Sequence, residues 1–307
     1  MRDYDEIAYT IDGPVGAISL NRPQARNGYT VQMSDELADA FTRADDDDNV
    51  RAVVFSGEGS DFCVGADLSG GSFDTSGRDE LDETFLEPAG RCSMQIFGMN
   101  KPVIAAIQGA AVGAGSSIIL SCDYRLAADD ARFGFVFTRR GIVPEGASTW
   151  FLPRLVGLPT ALDWMISGRV FAADEAHAAG LVSEVHPREC LLGRAHTLAR
   201  ELAATTAPVS VAITRQMLYR MSPQPAPFAT QKLDSKLIAN VLTTPDAAEG
   251  VNSFLERRPA SFPGRVSIDL PDFLPWESDS SEFDEEPRKS NEGRTAGVPL
   301  ERLPAEQ

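Results

Sequence analysis

Histidine and cysteine, the residues that most often bind zinc, are scarce in this chain of 307 residues. The sequence contains three histidines and four cysteines. The cysteines stand far apart with no CxxC pair, and the histidines form neither an HxxxH nor an HExxH pattern. This spacing argues against a zinc site, and it does not indicate a disulfide framework in a chain of this length. We therefore expect no metal.

Positive charge and long apolar runs are also in short supply. The chain has 28 basic residues against 45 acidic ones, and its net charge is −17. Such an acidic chain is poorly suited to nucleic acid or to an anionic membrane surface. The most apolar stretch, 103–120, is interrupted by polar residues and glycines, which favours a core segment over a membrane span. The first ten residues lack an apolar signal core, so we expect a cytoplasmic protein.

The sequence alternates short β-branched runs with helical segments, which predicts an α/β fold. Strands are predicted at residues 7–9, 15–20, 51–56, 103–107 and 124–127. The first two flank the turn signal Asp12-Gly13-Pro14 and should pair antiparallel. A helix is predicted over 31–44. The acidic run at 45–48 would oppose the helix macrodipole, so we predict a solvated loop there.

After residue 157 the pattern becomes helical. Helices are predicted at 159–167, 173–178, 190–204, 209–221, 231–242 and 245–257, with one short strand at 181–185. We interpret 1–200 as a core of β-turn-β-α units and 201–265 as a helical region for subunit contacts. The segment 271–307 holds ten acidic and four basic residues with little periodicity. Residues 266–307 are therefore predicted to form a disordered acidic tail.

Two glycine-rich turns carry backbone N–H groups suited to stabilising negative charge. The first, 61–68, reads DFCVGADL, and the second is Gly113-Ala114-Gly115. The second turn follows the strand at 103–107 and precedes an apolar run that predicts a helix start. A strand, a glycine turn and a helix N-terminus direct free N–H groups at one point. Either turn alone could be merely structural. Both together, roughly fifty residues apart, favour an oxyanion hole.

The stretch from Lys101 to Gly157 and the FxxGADL pattern at 62–68 resemble the crotonase family, the enoyl-CoA hydratase/isomerase superfamily. The resemblance extends over about residues 5–265. It implies a crotonase-like spiral of ββα units with a C-terminal helical layer, assembled as a homotrimer or a dimer of trimers. It also implies that the backbone N–H groups of Ala66 and Ala114 bind a thioester oxygen, although the family more often has glycine at the second position.

Acid–base residues distinguish the branches of this family. Where its hydratases carry two glutamates, this chain has Ser117 and Phe137. Adding water to a C2–C3 double bond needs a base and an acid, whereas moving a double bond from C3–C4 needs one carboxylate. Glu145, in a Pro-Glu-Gly-Ala-Ser pattern, resembles the catalytic glutamate of the Δ3,Δ2-enoyl-CoA isomerases. The alternative is that Glu145 only stabilises a helix N-terminus.

Coenzyme A is expected to enter as part of the substrate, with no permanently bound cofactor. Residues 21–27 resemble the family loop around adenine and pantetheine, in which arginines could bind phosphate. Residues 254–262 resemble the segment that reaches coenzyme A, often from a neighbouring subunit. Asp67 is expected to fix a turn rather than to transfer protons. The predicted binding residues are Arg22, Arg26, Ala66, Asp67, Leu68, Phe254 and Arg258.

We therefore predict an acyl-CoA enzyme of the crotonase fold, specifically a Δ3,Δ2-enoyl-CoA isomerase with Glu145 as its base. The first alternative is an enoyl-CoA hydratase of fatty-acid β-oxidation. Its second acid would come from the insertion after residue 68, which contains Asp79, Glu80, Asp82 and Glu83. The second alternative is a non-catalytic acyl-CoA-binding homologue, which the intact Pro-Glu-Gly motif disfavours. The expected partner is an acyl-CoA thioester, with neither nucleic acid nor membrane.

Overall fold

The computed structural model describes residues 4–73 and 85–276, and within these ranges the chain forms two β-sheets with helices packed around them. The larger sheet has the spatial order β1-β2-β3-β4-β6-β9, and the smaller sheet has the order β5-β7-β8. The strands are β1 (Ile7–Asp12), β2 (Val15–Leu20), β3 (Ala52–Gly57), β4 (Val103–Ile107), β5 (Ala110–Val112), β6 (Tyr124–Ala128), β7 (Arg132–Gly134), β8 (Val170–Ala172) and β9 (Glu184–His186).

Helices of very different length connect and cover these strands. They are α1 (Val31–Asp46), α2 (Pro88–Gly98), α3 (Ala114–Ile118), α4 (Ser148–Val156), α5 (Leu158–Ser167), α6 (Ala173–Ala178), α7 (Arg188–Thr205), α8 (Pro208–Met221), α9 (Phe228–Val241), α10 (Pro245–Glu256) and α11 (Val266–Asp269). Short 3₁₀ helices occur at Pro23–Ala25, Ile119–Ser121 and Thr138–Arg140.

Strand pairing confirms the predicted α/β architecture. β1 and β2 form the expected antiparallel pair, with Ile7 opposite Leu20. From β2 onward the larger sheet is parallel. Successive strands alternate between the sheets, because β4 and β6 belong to the larger sheet while β5 and β7 belong to the smaller one. This repeated step from one sheet to the other winds the chain into a spiral.

The larger sheet has an apolar core on each face. On β3, Val53 and Phe55 point into the main core, whereas Ala52 and Val54 face a second cluster. This follows from the two-residue period of a strand, which places alternate side chains on opposite faces. Helix α7 covers the second cluster with buried apolar residues at Leu191, Ala195 and Ala199. Burial on both faces explains why the parallel strands read as continuous apolar runs.

The acidic run after residue 44 was predicted as a loop, and this prediction is wrong for its first two residues. Helix α1 extends to Asp46. The buried ammonium group of Lys101 donates to the carbonyl oxygens of Ala44 (2.9 Å) and Asp47 (2.6 Å) at the helix end. The Asp45 carboxylate accepts the Asn100 backbone N–H at 2.9 Å. The Lys101 cation at the C-terminus of the helix and the N–H donor of Asn100 therefore offset the unfavourable interaction of these acidic residues with the macrodipole.

The strand predicted at 181–185 is also displaced, since β9 begins only at Glu184. Leu181 and Val182 are buried apolar residues, but they lie in the connection before the strand. The Leu181 carbonyl accepts the Nε–H of Arg125 at 2.7 Å, so a side chain satisfies it and not a neighbouring strand. The apolar character of Leu181 and Val182 therefore reflects their burial and not membership of a β-strand.

A buried arginine attaches α8 to the sheet and to α2. Arg215 is 6% exposed, and its Nε lies 2.9 Å from both carboxylate oxygens of Asp123, the residue before β6. Its Nη2 donates to the Ile96 carbonyl at 2.8 Å. Its Nη1 donates to the carbonyl oxygens of Phe97 (3.1 Å) and Met99. One guanidinium group therefore binds the C-terminal carbonyls of α2 and a partly buried carboxylate together.

The chain divides into two compact units, Met1–Leu270 and Pro271–Gln307. The regions 1–200 and 201–265 both fall within the first unit, as does α11 at the start of the predicted tail. From residue 277 onward the predicted tail lies outside the described residues. Among the described helices, none has the length and apolar character needed to cross a membrane.

Candidate active site

The turn that contains Ala66 is held by the backbone of Tyr29. The Tyr29 N–H donates to the Gly65 carbonyl at 2.8 Å, and the Asp67 N–H donates to the Tyr29 carbonyl at 2.9 Å. These two bonds form a parallel bridge between Tyr29 and Ala66, in which the residues on either side of Ala66 pair with Tyr29 and the N–H of Ala66 itself points away from it. Gly65 has φ of +93°, a conformation that a side chain would strain. The Ala66 N–H is therefore positioned to bind a group outside this ladder.

The second turn lies beside the first. The Cys63 N–H donates to the Ala110 carbonyl at 2.8 Å, and the Val112 N–H donates to the Cys63 carbonyl at 2.9 Å. Helix α3 begins at Ala114 directly after Gly113, whose φ is +58°. The Ala114 N–H is at the first helical position, where no intrahelical acceptor exists. The two turns that carry the predicted N–H donors are thus connected through Cys63.

Glycine at position 115 is required by this arrangement. A Cβ added there would lie 2.5 Å from the Cys63 carbonyl oxygen and 2.7 Å from the Cys63 Cβ. A Cβ on Gly65 would lie 2.9 Å from the Val112 carbonyl oxygen. Both contacts are with backbone or with atoms next to it, so a side chain could not be accommodated by rotation. The glycines permit the close packing that brings the turns together.

Glu145 lies in a tight turn immediately before α4. Gly146 and Ala147 have φ of +62° and +52°, so two successive residues adopt left-handed conformations. Glu145 itself is half-buried. Burial raises the pKa of its carboxyl group to about 7, and the nearby negative charge of Glu87 adds to this effect. A carboxyl group with this pKa is suited to exchange protons near neutral pH.

Glu87 is a carboxylate near Glu145 that the sequence patterns do not single out. Its Oε1 accepts the Gly146 N–H at 2.7 Å, and its Oε2 accepts the Gly90 N–H at 2.7 Å. The second bond caps the N-terminus of α2. The pair Glu87-Pro88 at a helix start is a cap signal that the sequence does contain. The residues proposed for a second acid, Asp79, Glu80, Asp82 and Glu83, lie outside the described residues.

The loop of Glu145 packs close to the second turn. A Cβ added to Gly146 would lie 3.1 Å from the Cβ of Ser117, a fully buried residue of α3. The Cys63 thiol has a pKa raised to about 12, first by burial and also by the charge of Glu145. Backbone N–H groups of Gly65 and Gly115 act on the same thiol in the opposite sense. Cys63 therefore lies within the influence of Glu145 and of both glycine turns.

Comparison with known proteins assigns the family. The family model for enoyl-CoA hydratase/isomerase matches residues 10–265. This chain belongs to the enoyl-CoA hydratase/isomerase family. The enoyl-CoA hydratase ACTT3 of Alternaria alternata is 38% identical over 259 residues, which cover 82% of this chain and 85% of the relative. The 1,2-epoxyphenylacetyl-CoA isomerase of Escherichia coli K12 is 31% identical over 262 residues, which cover 83% and 97%.

Solved structures of enoyl-CoA hydratase/isomerase relatives confirm the predicted crotonase fold. The crystal structure of enoyl-CoA hydratase from Bacillus anthracis has a TM-score of 0.76 and 29% identity. The alignment covers 84% of this chain and 99% of that one. The prediction of an acyl-CoA enzyme is therefore confirmed at the level of the family, whose substrates are acyl-CoA thioesters. The names of the relatives include both hydratases and an isomerase.

Two arginines predicted to bind coenzyme A are already paired with carboxylates. Arg22 lies 2.8 Å from Asp67 and 3.2 Å from Glu6. The pKa of Asp67 is lowered to about 2, first by the backbone N–H of Ser69 and then by the Ser69 hydroxyl and Arg22. Arg26 lies 2.8 Å from Asp61, and its side chain is 61% exposed. Arg22 therefore braces the turn around Asp67, whereas Arg26 keeps an accessible surface.

Asp61 was not singled out from the sequence, although it stabilises both glycine turns. Its Oδ1 accepts the Ala110 N–H at 2.8 Å, and its Oδ2 accepts the Ser60 hydroxyl at 2.7 Å. The pKa of Asp61 is lowered to about 2, first by the hydrogen bond from Arg26. Asp61 thus joins the loop of Arg26 to the strand that leads into the second turn.

The remaining predicted binding residues lie in two places. Leu68 is 45% exposed beside the first turn. Phe254 is exposed on α10, and Arg258 follows that helix. Arg258 donates to both carboxylate oxygens of Glu249, at 2.6 and 2.8 Å, and to Glu256 at 2.6 Å. Among the described residues, the contacts of Arg258 lie within its own C-terminal segment and do not join it to the glycine turns.

We expect Gly115→Ala to disrupt the paired turns. The added methyl group meets backbone atoms of Cys63, so the turns must separate, at a cost of roughly 1–3 kcal/mol for overpacking. Thermal unfolding should show a lower midpoint, and turnover of an acyl-CoA substrate should fall. Gly98→Ala is the control, because a Cβ at Gly98 meets no atom within 4 Å. A Gly115→Ala variant as stable and as active as the control would contradict the packing argument.

Proposed function

We propose that this protein is a Δ3,Δ2-enoyl-CoA isomerase in which Glu145 is the single base. The observation that carries the proposal is the half-buried Glu145 carboxyl, whose pKa is raised to about 7 and whose loop packs beside the second glycine turn. Residues 117 and 137, where the family's hydratases have glutamates, are serine and phenylalanine. Glu145 thus supplies a half-buried carboxyl group suited to proton transfer, and one such group is the minimum for moving a double bond.

In the proposed reaction Glu145 removes a proton from C2 of a 3-enoyl thioester. The electron pair moves into the conjugated system and places negative charge on the thioester oxygen. The N–H groups of Ala66 and Ala114 stabilise that oxygen. Glu145 then returns the proton at C4, which gives the 2-enoyl thioester and regenerates the carboxylate. Coenzyme A enters and leaves as part of the substrate, so no permanently bound cofactor is needed.

The second candidate is an enoyl-CoA hydratase. The names of several relatives favour it, and Glu87 supplies a second carboxylate near Glu145. Both oxygens of Glu87, however, accept backbone N–H groups at 2.7 Å. Proton transfer by Glu87 would disrupt the cap of α2 or the Gly146 contact. The Escherichia coli relative is named an isomerase, so the names of the relatives do not favour the hydratase alone.

Replacement of Glu145 by glutamine should remove the base and keep the size of the side chain. We expect isomerisation of 3-enoyl-CoA to fall by roughly 10²–10⁴-fold, with little change in coenzyme A affinity. Turnover and ligand affinity should be measured on the same preparation. Glu189→Gln, an equivalent change at the exposed start of α7, is the control. Near-normal turnover in Glu145→Gln would show that another group is the base.

Isomerisation should be much faster than hydration. A missing acid–base group costs roughly 10²–10⁴ in rate, so hydration of 2-enoyl-CoA should be at least about 10²-fold slower than isomerisation of 3-enoyl-CoA. The two substrates should be compared with matched chain lengths. Equal rates would favour the hydratase and direct attention to the four acidic residues at 79–83. No turnover of either substrate would support the non-catalytic alternative.

We further propose that the helical region 201–265 mediates assembly into a trimer or a dimer of trimers. Several large apolar side chains of α8–α10 are exposed in the single chain, including Phe228 (81%) and Leu242 (67%). Apolar patches of this kind mark subunit contacts. Phe228→Glu should reduce the mass measured by sedimentation, whereas Ile11→Glu on β1 should not. A monomeric wild-type protein would contradict the proposal.

A further inference from the structure

Glu87 connects two parts of the site that are distant in sequence. One carboxylate oxygen binds the first turn of α2 through Gly90, and the other binds the Gly146 N–H, 59 residues further along the chain. Gly146 is the residue directly after Glu145. The Glu87 carboxylate therefore fixes the backbone at the point where the Glu145 side chain leaves it. This role is distinct from the capping of α2 alone.

The turn that Glu87 binds is otherwise hydrogen-bonded to α4, the helix that follows it. Gly146 and Ala147 both have positive φ, which is unfavourable for alanine. Ala147 is the N-cap of α4 and makes no side-chain cap bond. The Glu145 carbonyl accepts the Ser148 N–H at 3.0 Å, and the Ala147 carbonyl accepts the Trp150 N–H at 2.8 Å; both donors belong to α4. The bond from Gly146 to Glu87 instead fastens this turn to a different helix.

The position of Glu87 is itself tied to the first glycine turn. The next residue, Pro88, accepts the Tyr29 hydroxyl at 3.2 Å and the Ser34 hydroxyl at 2.6 Å through its carbonyl oxygen. Tyr29 is also the residue whose backbone pairs with Gly65 and Asp67. A continuous chain of contacts therefore runs from the turn of Ala66, through Tyr29 and Pro88, to Glu87 and the loop of Glu145.

The charge of Glu87 acts on Glu145 directly. Apart from burial, Glu87 is the group that raises the pKa of Glu145. Among the described residues, the atoms nearest to a Cβ added to Gly146 belong to the side chains of Ala89, Ser93 and Ser117, which carry no charge. The Cys63 thiol, whose pKa is raised to about 12, is also neutral near pH 7. A nearby like charge disfavours ionisation of Glu145 and so strengthens it as a base.

We propose that Glu87 is a positioning residue for Glu145. It holds the backbone at Gly146 so that the Glu145 side chain lies beside the two glycine turns, and its negative charge makes Glu145 a stronger base. The inference rests on the proposed role of Glu145 as the base. It assigns two separable effects to one carboxylate. Its negative charge raises the pKa of Glu145, and its hydrogen bond from the Gly146 N–H fixes the position of the Glu145 side chain.

Two substitutions separate these effects. Glu87→Gln removes the charge and keeps one oxygen, which can accept the Gly146 N–H while the Gly90 N–H loses its acceptor. Glu87→Asp keeps the charge and a good N-cap, but its side chain is one methylene too short to bind both Gly90 and Gly146. Thermal unfolding establishes that each variant is folded. Glu189→Gln is again the matched control, since it removes a carboxylate near the start of α7, on the opposite face of the sheet.

The readouts are the titration of the Glu145 carboxyl by ¹³C NMR, assigned with Glu145→Gln, and the pH dependence of kcat. In Glu87→Gln we expect the Glu145 pKa and the acid limb of kcat to move to lower pH. The plateau kcat should fall by roughly 3- to 10-fold with little change in KM, because the base is weaker. In Glu87→Asp we expect a pKa close to that of the wild type and a lower plateau kcat.

An unmoved Glu145 titration in Glu87→Gln would overturn the electrostatic part of the proposal. A wild-type kcat in Glu87→Asp would overturn the positional part. A uniform loss of kcat in both variants, with no shift of the acid limb, would indicate a structural role only and would also overturn it. Failure of the proposed function is distinguishable, because full turnover in Glu145→Gln would refute the base while the NMR titration still reports the coupling of Glu87 to Glu145.

Discussion

The close approach of Gly115 to the backbone of Cys63 is the contact on which the arrangement of the site depends. It allows two turns from separate β-strand connections to exchange hydrogen bonds through Cys63. It also sets the start of α3, and therefore the direction of its first N–H groups. Ser117, on the same helix, forms the surface on which the Glu145 loop rests. The packing of one small residue thus affects how the two glycine turns and the loop of Glu145 lie relative to one another.

Electrostatics at this site combine burial with a like charge. Burial alone would favour a neutral carboxyl group at Glu145, and Glu87 adds to the same tendency. The oxygens of Glu87, in contrast, accept two backbone N–H groups, one of them at a helix N-terminus. The two carboxyl groups therefore have different environments. In the proposed function Glu87 holds the backbone, and Glu145 exchanges the proton.

Much of the fold was predictable because it follows from local patterns. The β-branched runs at β3 and β4 and the helical spacing of α1 reflect burial on defined faces. The glycine turns were predictable because close backbone approach leaves few other choices of residue. Glu87 was missed because its second bond is to a loop 59 residues away. The end of α1 and the start of β9 were misplaced because side chains of Lys101 and Arg125 satisfy the backbone there.

The contacts of Arg215 limit which C-terminal helices can be combined with this core. Its guanidinium satisfies Asp123 and three carbonyl oxygens at the end of α2, the helix whose other end carries Glu87. A chimera that took its C-terminal helices from a relative would have to bring an arginine at this position. Without it, Asp123 would be left with the Val103 N–H and the Tyr219 hydroxyl as donors, and the Ile96 carbonyl would lose the Arg215 guanidinium. Recombination near residue 207 should therefore be better tolerated between chains that share this arginine.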